Sequence, residues 1–201
     1  MTEKSELSEN TRLSLLARAK INDSAAWNDL VALYAPLIGR WCHRFGLQSA
    51  TIADVSQEVF LSVTKGITTF QPTKDIGSFR AWLWQITRNK IIDRQRSMAQ
   101  RSFATGGSDA FALLQNIADV QDLPDDDPTD SQAVSQLVTR ALDQVRVEFQ
   151  PSTWNAFWRT TVDGLSTEIA AIELQMTNAA VRQARSRVSR RLRQQLGDQV
   201  S

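Results

Sequence analysis

The twelve residues RQARSRVSRRLR (Arg182–Arg193) hold six arginines and no acid. A guanidinium carries its donors in a planar fork that fits phosphate and base edges, and it stays protonated, so it cannot serve as a base. A second basic cluster lies in SFRAWLWQITRNKIIDRQR (Ser78–Arg96), with five Lys or Arg against Asp93 and two tryptophans one residue apart. Cations beside an indole suit a polyanion with stacked rings. Residues for covalent or metal chemistry are scarce. The chain has one Cys and one His, the adjacent Cys42 and His43. Neighbours on a helix point about 100° apart, so they do not form a nucleophile–base pair, and they are too few for a structural zinc site. No phosphate-cradling Gly loop or catalytic triad is found. Catalytic residues, metal ligands and cofactors are therefore all expected to be none.

The elements that carry these clusters read as helices. Eight Gly and five Pro in 201 residues are few, and strand-like alternation is hard to find. Asn22 or Asp23 is placed to cap a helix with Trp27, Leu30, Val31 and Tyr34 at core spacing. It continues through Leu37, Trp41 and Phe45 to a stop at Gly46. Ser49 or Thr51 opens the next, with Ile52, Val55, Val59 and Val63 on one face and Asp54, Gln57, Glu58 and Leu61 on the other. That second face is either solvated or a docking edge for a basic protein. In the tryptophan-bearing helix, Phe79, Trp82, Leu83 and Ile86 make the expected core stripe. Trp84 falls about 140° from Phe79, beside Arg80, Arg88, Ile91 and Gln95. It either stacks on a base from that outer position or packs under a neighbouring segment.

Charge is sorted along the chain. The net charge is +4 over residues 1–96, −6 over 97–135 and +3 over 136–201. The acidic middle contains Gly106-Gly107, Pro124, Pro128 and Asp125-Asp126-Asp127. It reads as a flexible linker with one short helical turn around Phe111–Ile117. Its Asp run is either a solvated spacer or an imitation of a polyanion. Beyond it, helices are expected at Ser135–Phe149, from Pro151 to Gly164 (Trp154, Phe157, Trp158, Thr161 and Val162 at helical spacing), from Ser166 to Leu174, and from Thr177 to Leu196. A short helix, a tight turn at Gln175-Met176 and a basic helix form a helix-turn-helix outline. With Val181 as origin, Ala184, Val188 and Leu192 fall within about 60° of it, while Ala179, Arg182, Gln183, Ser186, Arg190 and Arg193 face away. Arg187 and Arg191 flank that outer face. The fold class is all-α: two small helical domains (10–97 and 132–201) joined by a flexible acidic linker (98–131), the C-terminal one a helix-turn-helix. No apolar run reaches membrane-spanning length and the first residues have no apolar h-region, so a cytoplasmic protein without membrane insertion is expected.

Three segments, in this order, resemble bacterial sigma factors of the extracytoplasmic-function (ECF) type. DVSQEVFLSV (Asp54–Val63) is similar to the family's core-polymerase helix. FRAWLWQITRNKIIDRQR (Phe79–Arg96) is similar to its minus-ten helix. WNAFWRTTVDGLSTEIAAIELQMTNAAVRQARSRVSRRLR (Trp154–Arg193) is similar to its minus-thirty-five domain. The resemblance implies an alternative sigma factor that works by binding: it joins core RNA polymerase, reads two promoter elements and promotes melting. The other reading is a stand-alone helix-turn-helix regulator. By the resemblance Asp54, Gln57, Glu58 and Leu61 meet the clamp helices of the polymerase's largest subunit, and the C-terminal domain meets its flap. Lys74, Arg80, Trp84, Arg88, Asn89, Ile92, Arg94 and Arg96 are the minus-ten candidates, with Phe70–Ser78 as the loop over a flipped base beside Asn89. Thr177, Asn178, Ala179, Arg182, Gln183, Ser186, Arg187 and Arg190 are the minus-thirty-five candidates. The linker would thread the polymerase's RNA path. An anti-sigma factor is left open as a further partner, and in holoenzyme the protein would sit at the nucleoid. The chain departs from the family in placing Trp82-Leu83-Trp84 where primary sigma factors have two adjacent tryptophans, so that wedge role is not carried over. It also has Gln175 at the usual turn glycine, and Ile169-Ala170 where an acidic then a β-branched residue is usual.

Overall fold

The structure, a computed structural model, describes residues 14–71, 79–104, 123–124 and 126–196, without the side chains of 99 and 101–104. Lys74, most of the Phe70–Ser78 loop and the expected turn at Phe111–Ile117 lie outside the described residues. Within them the chain is all-helical. The helices are α1 (Leu15–Lys20), α2 (Ser24–Arg44), α3 (Ser49–Gly66), α4 (Phe79–Ala104), α5 (Ser131–Arg146), α6 (Pro151–Thr161), α7 (Thr167–Glu173) and α8 (Asn178–Leu196). They group into two compact units, one of residues 31–134 and one that combines 1–30 with 135–201. Helix α1 packs with α8, and residues 123–134 group with the central unit.

In the central unit, α3 lies along α4. Val55, Val59 and Val63 are buried as their spacing requires. Aromatic rings fill the rest: Tyr34 and Phe70 meet Phe79 edge-on at 5.1 and 5.7 Å, and Phe70 stacks on Trp82 at 4.7 Å. Helix α2 runs unbroken through Pro36 and ends on Gly46, whose φ of 81° is the left-handed C-terminal conformation. There the Leu47 N–H bonds the Cys42 carbonyl and the Gly46 N–H bonds that of His43. Helix α4 continues to Ala104, beyond the Phe79–Arg96 stretch that resembles the minus-ten helix.

In the terminal unit, Asp23 is the residue that caps α2. Its carboxylate accepts the Ala25 and Ala26 N–H groups at 2.9 and 3.1 Å. The Arg18 guanidinium, 2.8 Å away, is the main reason this carboxyl is held below its ordinary range. Asp130, in the central unit, caps α5 through the Ala133 N–H at 2.8 Å, so that helix begins at Ser131; it ends at Arg146, where 135–149 was expected. One apolar cluster joins Val145, Trp154, Phe157 and Val188, and another joins Ala156, Ala170, Ala171, Val181 and Ala184. Trp158, Thr161 and Val162, expected on the buried side of α6, are exposed, because only the narrower Trp154–Phe157 face meets its neighbours.

The turn between α7 and α8 is built by bonds on both sides. The Ser166 hydroxyl accepts the Ile169 N–H to start α7, and Thr177 does the same for Ala180 at the start of α8. Between them Gln175 has φ 53°, and the Met176 N–H reaches back to the Ala171 carbonyl at 2.9 Å. A side chain in this left-handed position costs about 1 kcal/mol. Gln175→Gly is therefore expected to raise stability by about 0.5 kcal/mol, since glycine's larger unfolded-state entropy offsets part of the relief. A urea midpoint shifted upward at constant slope checks this. A downward shift would show that the Gln175 side chain contributes more than its backbone strain takes away.

Candidate nucleic-acid interfaces

Helix α8 sorts its residues as its spacing predicts. Val181, Ala184 and Val188 are buried, with Leu192 half-buried. Thr177, Asn178, Ala179, Arg182, Gln183, Ser186, Arg187 and Arg190 all lie exposed along the first part of the helix and its cap. Such a face offers forked donors to base edges and cations to phosphates. Arg191 is the exception. Expected at the flank of this face, it is 4% exposed and holds Glu148 with two bonds of 2.7 Å, from Nε and Nη2. Gln195 beside it is buried too, and its amide donates to Gln144 at 2.8 Å. Sequence reasoning missed both.

Helix α4 sorts its residues differently from expectation. Trp84 is 0% exposed, with Trp41 and Phe45 at 5.4 and 5.5 Å from its ring centre. Its indole N–H donates to the Pro124 carbonyl at 3.0 Å. The outward position for Trp84 is therefore corrected: an indole covered on this scale has no free face on which to stack a base. Ile91, on the same side, is also buried, as is Thr87, whose hydroxyl bonds the Leu83 carbonyl at 2.8 Å. The buried sector of α4 is rotated by roughly 90° from the expected stripe, towards Trp84. Trp82 and Ile86 become its half-buried margin.

The remaining α4 candidates divide by partner. Asn89 and Arg96 are exposed, and Ile92 is half-buried. Arg94 reaches Asp54 at 3.3 Å, and Lys90 reaches Glu58 at 3.6 Å. Arg80 pairs with Asp127, and Arg88 donates to the Leu123 carbonyl from both Nε and Nη2, at 3.2 and 3.1 Å. The opposite charges on α3 and α4 thus meet at their exposed edges. Pairs of that kind contribute about 0–1 kcal/mol and are readily exchanged for other partners. Asp54, Gln57 and Glu58 are exposed on α3 around Leu61, an apolar side chain 56% exposed among polar ones.

Cys42 is buried, and burial pushes its thiol up to about 12, so it is a core residue and not a thiolate nucleophile. Among the described residues no cluster of His, Cys, Asp and Glu is arranged to hold a metal ion.

Residues 30–101 match the Sigma-70 region 2 family. That span contains α3, most of α4 and the aromatic core between them. The chain is 26% identical over 172 residues to RNA polymerase sigma factor CnrH of Cupriavidus metallidurans, covering 83% of this chain and 84% of that protein. It is 29% identical over 181 residues to ECF RNA polymerase sigma factor SigE of Mycolicibacterium smegmatis, covering 88% and 62%. A solved structure of CnrH in complex with the cytosolic domain of CnrY aligns at 21% identity over 89% of this chain and 92% of that one, with a TM-score of 0.36. Both relatives are named as RNA polymerase sigma factors, the second of them as an ECF one. No helix among the described residues is long and apolar enough to cross a membrane.

Proposed function

We propose that this chain is an alternative sigma factor of the ECF type that works with core RNA polymerase, divides its work among three helix faces and performs no catalysis itself. The exposed face of α8 enters the major groove at the minus-thirty-five element. Arg182 and Gln183 read bases there, and Arg187 and Arg190 hold phosphates. On α4, Arg80, Arg88, Asn89, Ile92, Arg94 and Arg96 meet the opening minus-ten strand, with Lys74 from the preceding loop. Trp84 supports that face from beneath. Asp54, Gln57, Glu58 and Leu61 of α3 dock on the clamp helices of core polymerase, and the C-terminal unit meets the flap. The protein works in the cytoplasm, at the nucleoid when in holoenzyme, and an anti-sigma factor that holds the free chain fits the same exposed faces. The observation that carries this reading is the sorting of α8: six arginines on one helix, five of them exposed beside a buried Val181–Val188 stripe.

Run-off transcription with core enzyme tests it. Asp54→Lys with Glu58→Lys should abolish initiation while duplex binding by α8 survives. Arg182→Ala or Gln183→Ala should relax sequence preference in the upstream element by about 1–3 kcal/mol, whereas Arg190→Ala should weaken binding evenly across sequences. Equal losses on all sequences from all three changes would remove the division of roles. The rival, a stand-alone regulator, predicts tight, salt-sensitive duplex binding without polymerase and no effect of the charge reversals.

A further inference from the structure

The end of the acidic middle is fastened to the central unit. Leu123 is buried, and its carbonyl accepts both donors of the Arg88 fork. The Pro124 carbonyl accepts the Trp84 indole N–H. Asp127 pairs with Arg80 and accepts the Thr129 N–H at 3.0 Å, while the Thr129 hydroxyl also bonds Asp127 and accepts the Trp41 indole N–H at 3.2 Å. Further on, the Pro128 carbonyl accepts from Arg44 at 2.8 Å, and Asp130 pairs with Arg40 at 3.3 Å. On α4 the anchors are Arg80, Trp84 and Arg88, spaced four residues apart and therefore on one face.

We propose that this segment is a competitor built into the chain, which covers the Arg80 and Arg88 part of the minus-ten face of α4 in the free protein and must leave before those arginines bind DNA. The proposal rests on the reading of α4 given above. Two features carry it. The oxygens seated on Arg80 and Arg88 are a carboxylate and a carbonyl, the acceptor chemistry by which a phosphate would engage the same guanidinium groups. The attachment is also made mostly of exchangeable polar contacts. Among these residues only Leu123 is a buried apolar anchor, while Pro124 and Asp126 are exposed. A segment whose sole role was to complete the core would bury apolar side chains along its length. Docked and released states of the segment then share one set of arginines, and DNA shifts the population towards release.

The test uses the free full-length chain and a labelled mixed-sequence single-stranded DNA oligonucleotide. Asp127→Asn keeps the shape of the side chain and removes its charge, and is expected to tighten binding about fivefold. Thr129→Ala, which cuts the link between Trp41 and Asp127, should act in the same direction without changing any charge. Asp126→Asn, an equal charge change at an exposed neighbour, should give a much smaller gain. Arg80→Ala should weaken binding and cancel the gain from Asp127→Asn. Helix content by circular dichroism shows that each variant is folded, and Thr129→Ala carries the comparison if Asp127→Asn is not. Unchanged or weaker binding by the folded variants overturns the competitor. So does a gain from Asp126→Asn equal to that from Asp127→Asn, or a gain that persists with Arg80→Ala. If the competitor fails while Arg80→Ala still weakens binding, the assignment of α4 to DNA stands. If Arg80→Ala has no effect either, both fall.

Discussion

Trp84→Ala is expected to cost about 3–5 kcal/mol of stability, the range for deleting a large aromatic from a packed interior. The indole lies against Trp41 and Phe45 and is fully buried, so its removal opens a cavity lined by rings that cannot easily collapse into it. It also removes the donor to the Pro124 carbonyl. A loss of that size is a large fraction of the stability of an ordinary domain. Trp84→Phe keeps ring contacts and loses the N–H, and should cost about 1–2 kcal/mol. Trp158→Ala is the control: this ring is 37% exposed, and its loss should cost about 1 kcal/mol or less. Urea titrations of the three variants, followed by far-ultraviolet circular dichroism, give the ordering. Equal losses at Trp84 and Trp158 would contradict the burial of Trp84. The consequence for function is that a defect in promoter opening caused by Trp84→Ala would reflect a failing scaffold, so melting is better probed at Asn89 and Arg96, which lie at the surface.

The same tryptophan marks the limit of what periodicity could reveal. Helices with one buried side were legible: Val55, Val59 and Val63 on α3, and Val181, Ala184 and Val188 on α8, fall where a single stripe places them. Capping at Ser166 and Thr177 and the stops at Gly46 and Gly164 were legible as well, because they depend on residues within a turn of each other. Helix α4 has two neighbours, the aromatic core beneath Phe79 and Leu83 and the 123–130 segment with α2 over Trp84. One stripe cannot describe a helix covered on two sides. The apolar Trp84 and Ile91, seven residues apart and so on one side, were the available signal, and the arginines beside them obscured it. The docking of Leu123, Pro124 and Asp127 was not legible, since it joins residues 35 to 47 positions apart in the chain. Composition marked that stretch as acidic and turn-rich, which is equally true of a free linker and of one held by arginines. The candidate surface of α8 could be read from the sequence because exposure on a basic helix needs no partner to define it.

Glu148→Ala should destabilise the terminal unit more than Arg191→Met, although both remove the same ion pair. Arg191 is inside the fold, while Glu148 keeps 30% of its side-chain exposure. Without Glu148 the guanidinium remains buried with its charge uncompensated; Nη1 already lacks a hydrogen-bond partner in the intact site. Breaking a fully buried pair from one side costs about 3–5 kcal/mol, and the partial exposure of Glu148 brings the expectation to about 2–3 kcal/mol. Asp29 moderates the loss without replacing the bond: burial raises its carboxyl, and the nearby Arg18 and Arg191 charges pull it back. Arg191→Met removes the buried charge, fills the space with a flexible apolar chain and frees Glu148 to turn to water, so it should stay within about 1 kcal/mol of the parent. The double variant should resemble Arg191→Met alone, because the penalty of Glu148→Ala exists only while Arg191 is charged and buried. Thermal melts of the four proteins at fixed pH and salt give the cycle. An Arg191→Met loss as large as that of Glu148→Ala would show that the pair contributes net stability. Duplex binding separates the neighbours on the helix: Arg190→Ala should weaken it, while Arg191→Met, one residue further along but facing the interior, should leave it unchanged.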